Sequence, residues 1–133
     1  MTIGILIITH NQIGQALLDT ATNMLGTCPL ECATLSLSPD ADPDASLRQA
    51  RDRVGELDKG DGVLVLTDMY GSTPSNIAAG LGKSADIIVV AGINLPMLIR
   101  VMNYPQLDLS QLAAKAESGG NDGIFSFSPT SGL

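Results

Sequence analysis

Three short runs of aliphatic residues recur along the chain, and each predicts a strand that is buried on both faces. They span residues 3–9, 63–66 and 87–91, where hydrophobic side chains occupy almost every position. Such runs are typical of parallel strands that helices cover on both sides. A fourth run, residues 31–37, alternates hydrophobic and polar positions, so we expect an edge strand there.

Segments with the helical spacing of hydrophobic residues separate these runs. A first helix begins near Ile13 and ends before Gly26, a residue suited to the left-handed position that follows a helix. A second helix is predicted over residues 43–57, with Asp42 as its N-cap and Pro43 in its first turn. Three further helices are predicted from Pro74 to Gly80 or Gly82, over residues 95–103 and over residues 110–118.

The end of the chain combines a glycine-rich turn with a short hydrophobic strand. Residues 119–123 read GGNDG and predict the turn, and residues 124–128 read IFSFS and predict the strand. The order of elements predicts an α/β fold, an open, doubly wound and mostly parallel sheet of four strands with helices on both faces. No linker or repeat divides the sequence, so we expect residues 1–133 to form a single domain.

Composition and charge limit the classes of partner. The 133 residues carry a formal net charge of −7, which argues against binding to nucleic acid or to an anionic membrane. No apolar run approaches the roughly 18 residues of a membrane span, and no signal-peptide pattern follows Met1. We therefore expect a cytoplasmic protein. Cys28 and Cys32 predict reduced thiols in a loop and a strand, not a metal site.

Two residues with side chains that can take part in catalysis directly follow predicted strands. His10 comes directly after the first strand and Asp68 directly after the third. The carboxyl ends of parallel strands share one edge of a sheet, where open α/β folds bind ligands, so these residues would be neighbours if their strands pair. A neutral imidazole offers one nitrogen as a nucleophile, and a carboxylate on the other nitrogen would fix its tautomer.

A glycine-containing loop leads from Asp68 into the third predicted helix. Its residues are Met69, Tyr70, Gly71, Ser72 and Thr73. We expect Thr73 to be the N-cap, so that free amides at the start of the helix can hold an anion. A histidine, a carboxylate and this loop together predict a site that accepts a phosphoryl group from another protein, without a metal or cofactor.

Three other kinds of site agree less well with the sequence. A receiver domain would be phosphorylated on Asp68, but its Mg²⁺ needs an acidic pair after the first strand, where this chain has THN. A hydrolase would use Ser72 or Ser75 with the histidine, but the G-x-S-x-G turn is missing. A dinucleotide site would need a G-x-G-x-x-G turn after the first strand, which is also missing.

Three stretches of the chain read IGILIITHNQ at 3–12, VLVLTDMYGSTPSN at 63–76 and GINLPML at 92–98. They resemble the mannose-family enzyme IIA domain of the bacterial phosphotransferase system. The central stretch carries an Asp, an aromatic residue two positions later, then Gly, a hydroxyl residue, Pro and Asn. The resemblance covers nearly the whole chain, in order and with similar spacing.

The resemblance implies a phosphoryl carrier with a phosphohistidine intermediate. His10 would accept the phosphoryl group from an HPr-type phosphocarrier and pass it to a IIB-type domain for sugar uptake, or to a regulatory relay. Asp68 would orient His10. The residues around the phosphoryl group would be Met69, Gly71, Ser72 and Thr73. The resemblance also implies that residues 124–128 form an antiparallel strand exchanged between the subunits of a homodimer.

The phosphoryl-transfer subunit of dihydroxyacetone kinase is a related alternative, with the same fold and an early histidine. Its loop after the third strand lacks the Gly-x-Thr-Pro-Ser-Asn pattern of this chain. Two positions also depart from the IIA pattern, Asn11 where the family usually has glycine and Ser72 where it tends to have a second glycine. If that second position requires a positive φ, Ser72 would be strained there.

Overall fold

The computed structural model describes residues 2–82 and 85–130, and a parallel sheet lies at its centre. The strands are β1 (Gly4–His10), β2 (Cys32–Leu37), β3 (Val63–Thr67) and β4 (Ile87–Ala91). They are ordered β2-β1-β3-β4, and every neighbouring pair is parallel. The predicted α/β class with a four-stranded parallel sheet is confirmed. Met1 and Leu133, the ends of the predicted domain, lie outside the described residues.

Five helices in the described part of the chain cover this sheet. They are α1 (Ile13–Leu25), α2 (Pro43–Leu57), α3 (Thr73–Ala79), α4 (Leu95–Met102) and α5 (Leu109–Asp122). Gly26 ends α1 in a left-handed conformation, and the Asp42 side chain accepts the backbone N–H of Ala45 at the start of α2, both as the sequence predicts. Over residues 2–82 and 85–130, none of the helices has the length and apolar character needed to cross a membrane.

Each face of the sheet carries its own hydrophobic core. Successive side chains of a strand point to opposite faces, so an unbroken aliphatic run supplies both cores at once. The core against α1, α4 and α5 contains Ile5, Ile7, Leu64 and Leu66, and the core against α2 and α3 contains Leu6, Ile8, Val63 and Val65. The doubly wound arrangement predicted from these runs is therefore confirmed.

Strand β4 lies at one edge of the sheet, although its sequence is hydrophobic at every position. The other edge is β2, as its alternating pattern predicts. The side chains of β4 are only half-buried, and Val89 is 37% exposed, so the prediction of a strand covered on both faces is wrong for β4 within this chain. The hydrophobic pattern indicates that a strand needs cover, but it does not say whether the same chain supplies it.

Helix α5 continues through the segment that the sequence predicts to be a turn, because residues 119–122 are helical. It also begins before residue 110, since Asp108 and Gln111 form a reciprocal capping box. The glycines in this part of α5 allow close packing against a neighbouring helix. A Cβ added to Gly119 would lie 2.5 Å from the Cβ of Arg100 on α4. Glycine therefore lets α4 and α5 approach each other, and the predicted turn is wrong.

Residues 124–128 form no strand within the single chain that the structure describes. Ile124, Phe125 and Phe127 are 74%, 71% and 57% exposed. The two phenyl rings lie near each other, with centroids 6.1 Å apart, and the described core does not cover them. A strand exchanged between subunits requires a second copy of the chain, so this part of the expected fold stays a prediction.

We predict opposite effects of alanine at two helical glycines. Gly119→Ala should lower the free energy of unfolding by about 1–3 kcal/mol, because the new Cβ overpacks the contact with Arg100. Gly55→Ala in α2 should raise it by about 0.5–1 kcal/mol, because nothing lies within 4 Å of the new Cβ and alanine favours the helix. Denaturant unfolding measures both variants. Equal effects would contradict the close packing of α4 and α5.

Candidate functional site

His10 and Asp68 lie side by side at the carboxyl edge of the sheet. Strands β1 and β3 pair with Ile8 opposite Thr67, which brings the residues that follow close together. Nδ1 of His10 lies 2.8 Å from Oδ2 of Asp68, although 58 positions separate the two residues in sequence. The predicted neighbourhood of these side chains is confirmed.

The carboxylate of Asp68 holds both the backbone and the ring of His10. Oδ2 accepts the backbone N–H of His10 at 2.9 Å in addition to the ring contact, and Oδ1 accepts the backbone N–H of Met69 at 3.0 Å. An ionised carboxylate only accepts hydrogen bonds, so Nδ1 must carry the hydrogen of this contact. In the neutral ring, Nε2 is then the nitrogen with the free lone pair.

The pKa of Asp68 lies below the usual range of an aspartate. Partial burial acts to raise this pKa, but hydrogen bonds from the backbone and ring of His10, together with the charge of the ring, outweigh burial. These donors stabilise the charged carboxylate and not the acid. The stability that Asp68 contributes is therefore present above the ordinary pKa of an aspartate, and it is lost as the pH falls through the lowered value in the folded protein.

The two side chains differ in how far solvent reaches them. The His10 side chain is 42% exposed, whereas that of Asp68 is 13% exposed. Another molecule can therefore reach the imidazole while the carboxylate behind it is shielded from water. Shielding strengthens the interaction between the carboxylate and a positive charge on the ring, because the effective dielectric constant is lower there than in bulk water.

The loop after Asp68 turns at a glycine before α3 begins. Gly71 has a φ of 83°, which favours glycine, whereas Ser72 has φ −86° and ψ 175° and is unstrained. Ser72 is the N-cap of α3 and Thr73 its first helical residue, so the prediction of Thr73 as N-cap is wrong. The reason is the turn itself, in which the Ser72 hydroxyl donates to the carbonyl of Met69 at 2.5 Å.

The other polar groups of this loop have fewer hydrogen-bond partners within the chain that would compete with a bound anion. The side chain of Met69 is 60% exposed, and Thr73 is also exposed. The first N–H groups of a helix have no partner within it, and Pro74 carries no N–H, so Thr73 and Ser75 supply the amides of the first turn. Within the loop, the N–H groups of Met69 and Ser72 already donate, to Asp68 and to the Met69 carbonyl. The groups that remain for an oxyanion are therefore the first-turn amides, the other loop amides and the Thr73 hydroxyl.

Asn11 adopts the left-handed conformation at the turn after β1, with a φ of 48°. Asparagine tolerates this region better than most residues other than glycine. The N–H of Asn11 donates to the carbonyl of Leu37 at 2.8 Å, which joins the turn to the end of β2. The departure from glycine at this position therefore leaves the backbone beside His10 in a conformation that glycine also allows.

Two buried threonines support the site, and the sequence analysis did not single them out. The Thr9 hydroxyl accepts the N–H of Gly14 at 2.8 Å, and the Thr67 carbonyl accepts those of Gly92 and Ile93, both at 2.9 Å. The Thr67 hydroxyl is buried without a hydrogen-bond partner among the described residues. Their signal in the sequence is position, because each threonine ends an aliphatic run and directly precedes a candidate site residue.

The EIIA-man family, described as PTS system fructose IIA component, matches residues 4–117 of this chain. The chain belongs to the EIIA-man family. The match includes β1 through most of α5, and so both candidate site residues. It confirms the resemblance to mannose-family IIA domains, and it favours this family over the phosphoryl-transfer subunit of dihydroxyacetone kinase.

One relative in sequence and two solved structures with the same fold are similar to this EIIA-man chain. The mannose-specific EIIAB component of Escherichia coli (strain K12) is 31% identical over 127 residues, which are 93% of this chain but 39% of that protein. The mannose/sorbose specific IIA subunit from Enterococcus faecalis superposes with a TM-score of 0.87 at 22% identity, covering 96% of each chain. Component EIIA from Streptococcus agalactiae has a TM-score of 0.82 at 25% identity, covering 96% of this chain and 99% of that one.

Proposed function

We propose that this chain is a phosphoryl carrier that accepts a phosphoryl group on Nε2 of His10. The observation that carries the proposal is the 2.8 Å contact between Nδ1 of His10 and Asp68, which leaves the other ring nitrogen as the nucleophile. The exposure of the ring and membership in a family of IIA components support this role. Residues 1–133 would act as one IIA domain.

The transfer exchanges one phosphorus–nitrogen bond for another. The lone pair of Nε2 attacks the phosphorus of a phosphorylated HPr-type carrier, the bond to the donor nitrogen breaks, and that nitrogen keeps the electron pair. The His10 ring becomes an imidazolium, and the Asp68 carboxylate stabilises its charge through Nδ1–H. The lowered pKa of Asp68 keeps this carboxylate ionised at neutral pH. A IIB-type domain or a regulatory acceptor then takes the phosphoryl group by the same chemistry in reverse.

The loop after Asp68 is proposed to surround the phosphoryl oxygens. The amide of Gly71 and the amide and hydroxyl of Thr73 would donate to them. The Met69 amide donates to Oδ1 of Asp68, so it would have to leave that bond to take part. The Ser72 hydroxyl is already bonded to the Met69 carbonyl, so Ser72 would contribute by holding the turn in shape. The positive φ of Gly71 supports this arrangement, because it lets the chain reverse immediately beyond the carboxylate.

Phosphorylation of Asp68 itself, as in a receiver domain, has less support. Both oxygens of its carboxylate accept hydrogen bonds from His10 and Met69, and the side chain is 13% exposed. An attacking oxygen would have to break these bonds before it reached a donor. His10, which is more exposed, has a free nitrogen and needs no such rearrangement.

Docking of the donor and the acceptor would use hydrophobic side chains around the histidine. Ile13, Met69 and Tyr70 are 47%, 60% and 87% exposed, and each lies within three positions of His10 or Asp68 in sequence. Such side chains supply the apolar contacts of a transient interface. We expect these encounters to take place in the cytoplasm.

We predict that phosphoenolpyruvate, enzyme I and an HPr-type carrier add one phosphoryl group to His10. The label should be acid-labile and base-stable, because protonation of the other ring nitrogen makes imidazole a better leaving group. His10 is the single histidine of the sequence, so a phosphohistidine can form nowhere else. Nitrogen NMR of the ring should place the group on Nε2, and His10→Ala should take up no label. A base-labile label would indicate Asp68 and contradict the proposal.

We predict that Asp68→Asn slows transfer by about 10- to 100-fold without abolishing it, the loss expected for one hydrogen bond to a charged group. Asparagine keeps the shape of the side chain but removes the charge opposite the imidazolium. Single-turnover transfer from the phosphorylated carrier measures the rate. Asp52→Asn, on the exposed face of α2, removes the same charge elsewhere and should transfer at the wild-type rate. A wild-type rate for Asp68→Asn would make Asp68 a structural turn residue.

The C-terminal segment, residues 124–128, is proposed to pair with the sheet of a second copy. Strand β4 supports this, because its outer edge carries no charge or proline and its side chains are half-buried. Ile124, Phe125 and Phe127 are exposed in the single chain and would be covered in the dimer. A symmetric exchange would give hydrogen-bond partners to the backbone of the β4 edge and of residues 124–128 in both subunits at once.

We predict that removal of residues 124–133 converts a dimer into monomer or aggregate, because it uncovers the edge of β4. Helix α5 ends at Asp122, so this truncation leaves it complete. Sedimentation at micromolar concentration measures the state. A chain that ends at Ser128 keeps the proposed strand and should stay dimeric. A monomeric full-length chain would refute the exchange but not the carrier function.

A further inference from the structure

Cys28 and Cys32 form a pair of thiols at the end of the sheet opposite His10. Cys32 is the first residue of β2 and pairs with Ile5 near the start of β1, whereas His10 ends that strand. The sulfur atoms are 3.6 Å apart and not bonded, in agreement with the expected reduced thiols. We propose that this pair is a reversible oxidation site, at which a low-molecular-weight disulfide converts the two thiols to an intramolecular disulfide.

A shared acceptor holds the sulfur atoms together. The Sγ atoms of Cys28 and Cys32 lie 3.1 and 3.5 Å from the carbonyl oxygen of Leu30, toward which both thiols are directed. A disulfide requires the sulfur atoms to approach by about 1.5 Å, to a bond of about 2.05 Å. The ladder with β1 fixes the backbone of Cys32, whereas Cys28 lies in the loop between α1 and β2. The loop that carries Cys28 is therefore the part of the chain that makes this small movement.

The thiols are open to a small reagent. Both are half-buried and line a surface cavity of about 560 Å³, which is open to solvent. The last turns of α1 and the part of the loop before β2 form its walls, with polar side chains from Asp19, Thr22 and Asn23. A hydrophilic disulfide of the glutathione type fits such a cavity better than an apolar oxidant does. The cavity admits the reagent without unfolding of the core.

The chemistry balances as two exchanges. The Cys28 thiolate attacks one sulfur of the reagent, RSSR, so that a mixed disulfide forms and RS⁻ leaves. Cys32 then gives up its proton and attacks the Cys28 sulfur, and the second RS⁻ leaves. The two released thiolates take up the two protons, so the protein loses two hydrogen atoms and RSSR becomes two RSH. Burial, followed by the neighbouring thiol of Cys28, raises the pKa of Cys32, so Cys28 is the thiol that attacks first.

The test uses the full chain, oxidised glutathione as the probe and intact-mass spectrometry. The wild-type protein should lose the mass of two hydrogen atoms, and reduced glutathione in excess should restore it. Cys32→Ser should stop at a stable glutathione adduct on Cys28. Cys28→Ser should react at least about tenfold more slowly, because only the protonated Cys32 remains. His10→Ala should react as the wild type does, because the pair lies at the opposite edge.

Three results would overturn the proposal. They are a wild-type protein that accumulates the glutathione adduct, one that forms disulfides between chains, and one that does not react. A Cys28→Ser variant that reacts as fast as the wild type would overturn the assigned order of attack. Circular dichroism of both serine variants tests whether they are folded. The inference does not rest on the phosphoryl-carrier role, so either can fail alone.

Discussion

The site depends on one carboxylate oxygen that accepts two hydrogen bonds. Oδ2 of Asp68 receives the backbone N–H and the ring N–H of His10, so the same atom positions the end of β1 and selects the tautomer of the imidazole. Neither bond forms unless β1 and β3 are direct neighbours in the sheet. The strand order is therefore part of the site, because a sheet that inserted β2 between them would separate His10 from Asp68.

Much of this arrangement can be predicted from the sequence, because aliphatic runs reveal strands and ligands gather at their carboxyl ends. His10 and Asp68 each follow such a run, and the structure places them in contact. The loop after Asp68 was predicted less well. The N-cap is Ser72 and not Thr73, since Ser72 is the last extended residue of a turn in which its hydroxyl donates to the Met69 carbonyl. That bond depends on a geometry that residue types alone do not specify.

The features that could not be predicted depend on contacts between distant segments. Gly119 lies in a glycine-rich stretch that is typical of a turn, yet it belongs to helix α5 and is glycine because Arg100 of α4 leaves no room for a side chain. Strand β4 has the composition of a central strand and lies at an edge. The buried hydroxyl of Thr67 gives no signal beyond its place at a strand end. In each case the same local sequence pattern is compatible with two different tertiary environments.

The order β2-β1-β3-β4 also has a consequence for the folding pathway. His10 ends β1 and Asp68 follows β3, and these two strands are neighbours in the sheet but not along the chain, because α1, β2 and α2 intervene. Closing a loop of 58 residues costs conformational entropy before any contact compensates for it. Contacts between residues so far apart form slowly relative to local helices. A partly folded chain can thus possess most of its helices while His10 still lacks its carboxylate partner. The contact between His10 and Asp68 therefore indicates that the sheet topology is complete, which the presence of helices alone does not.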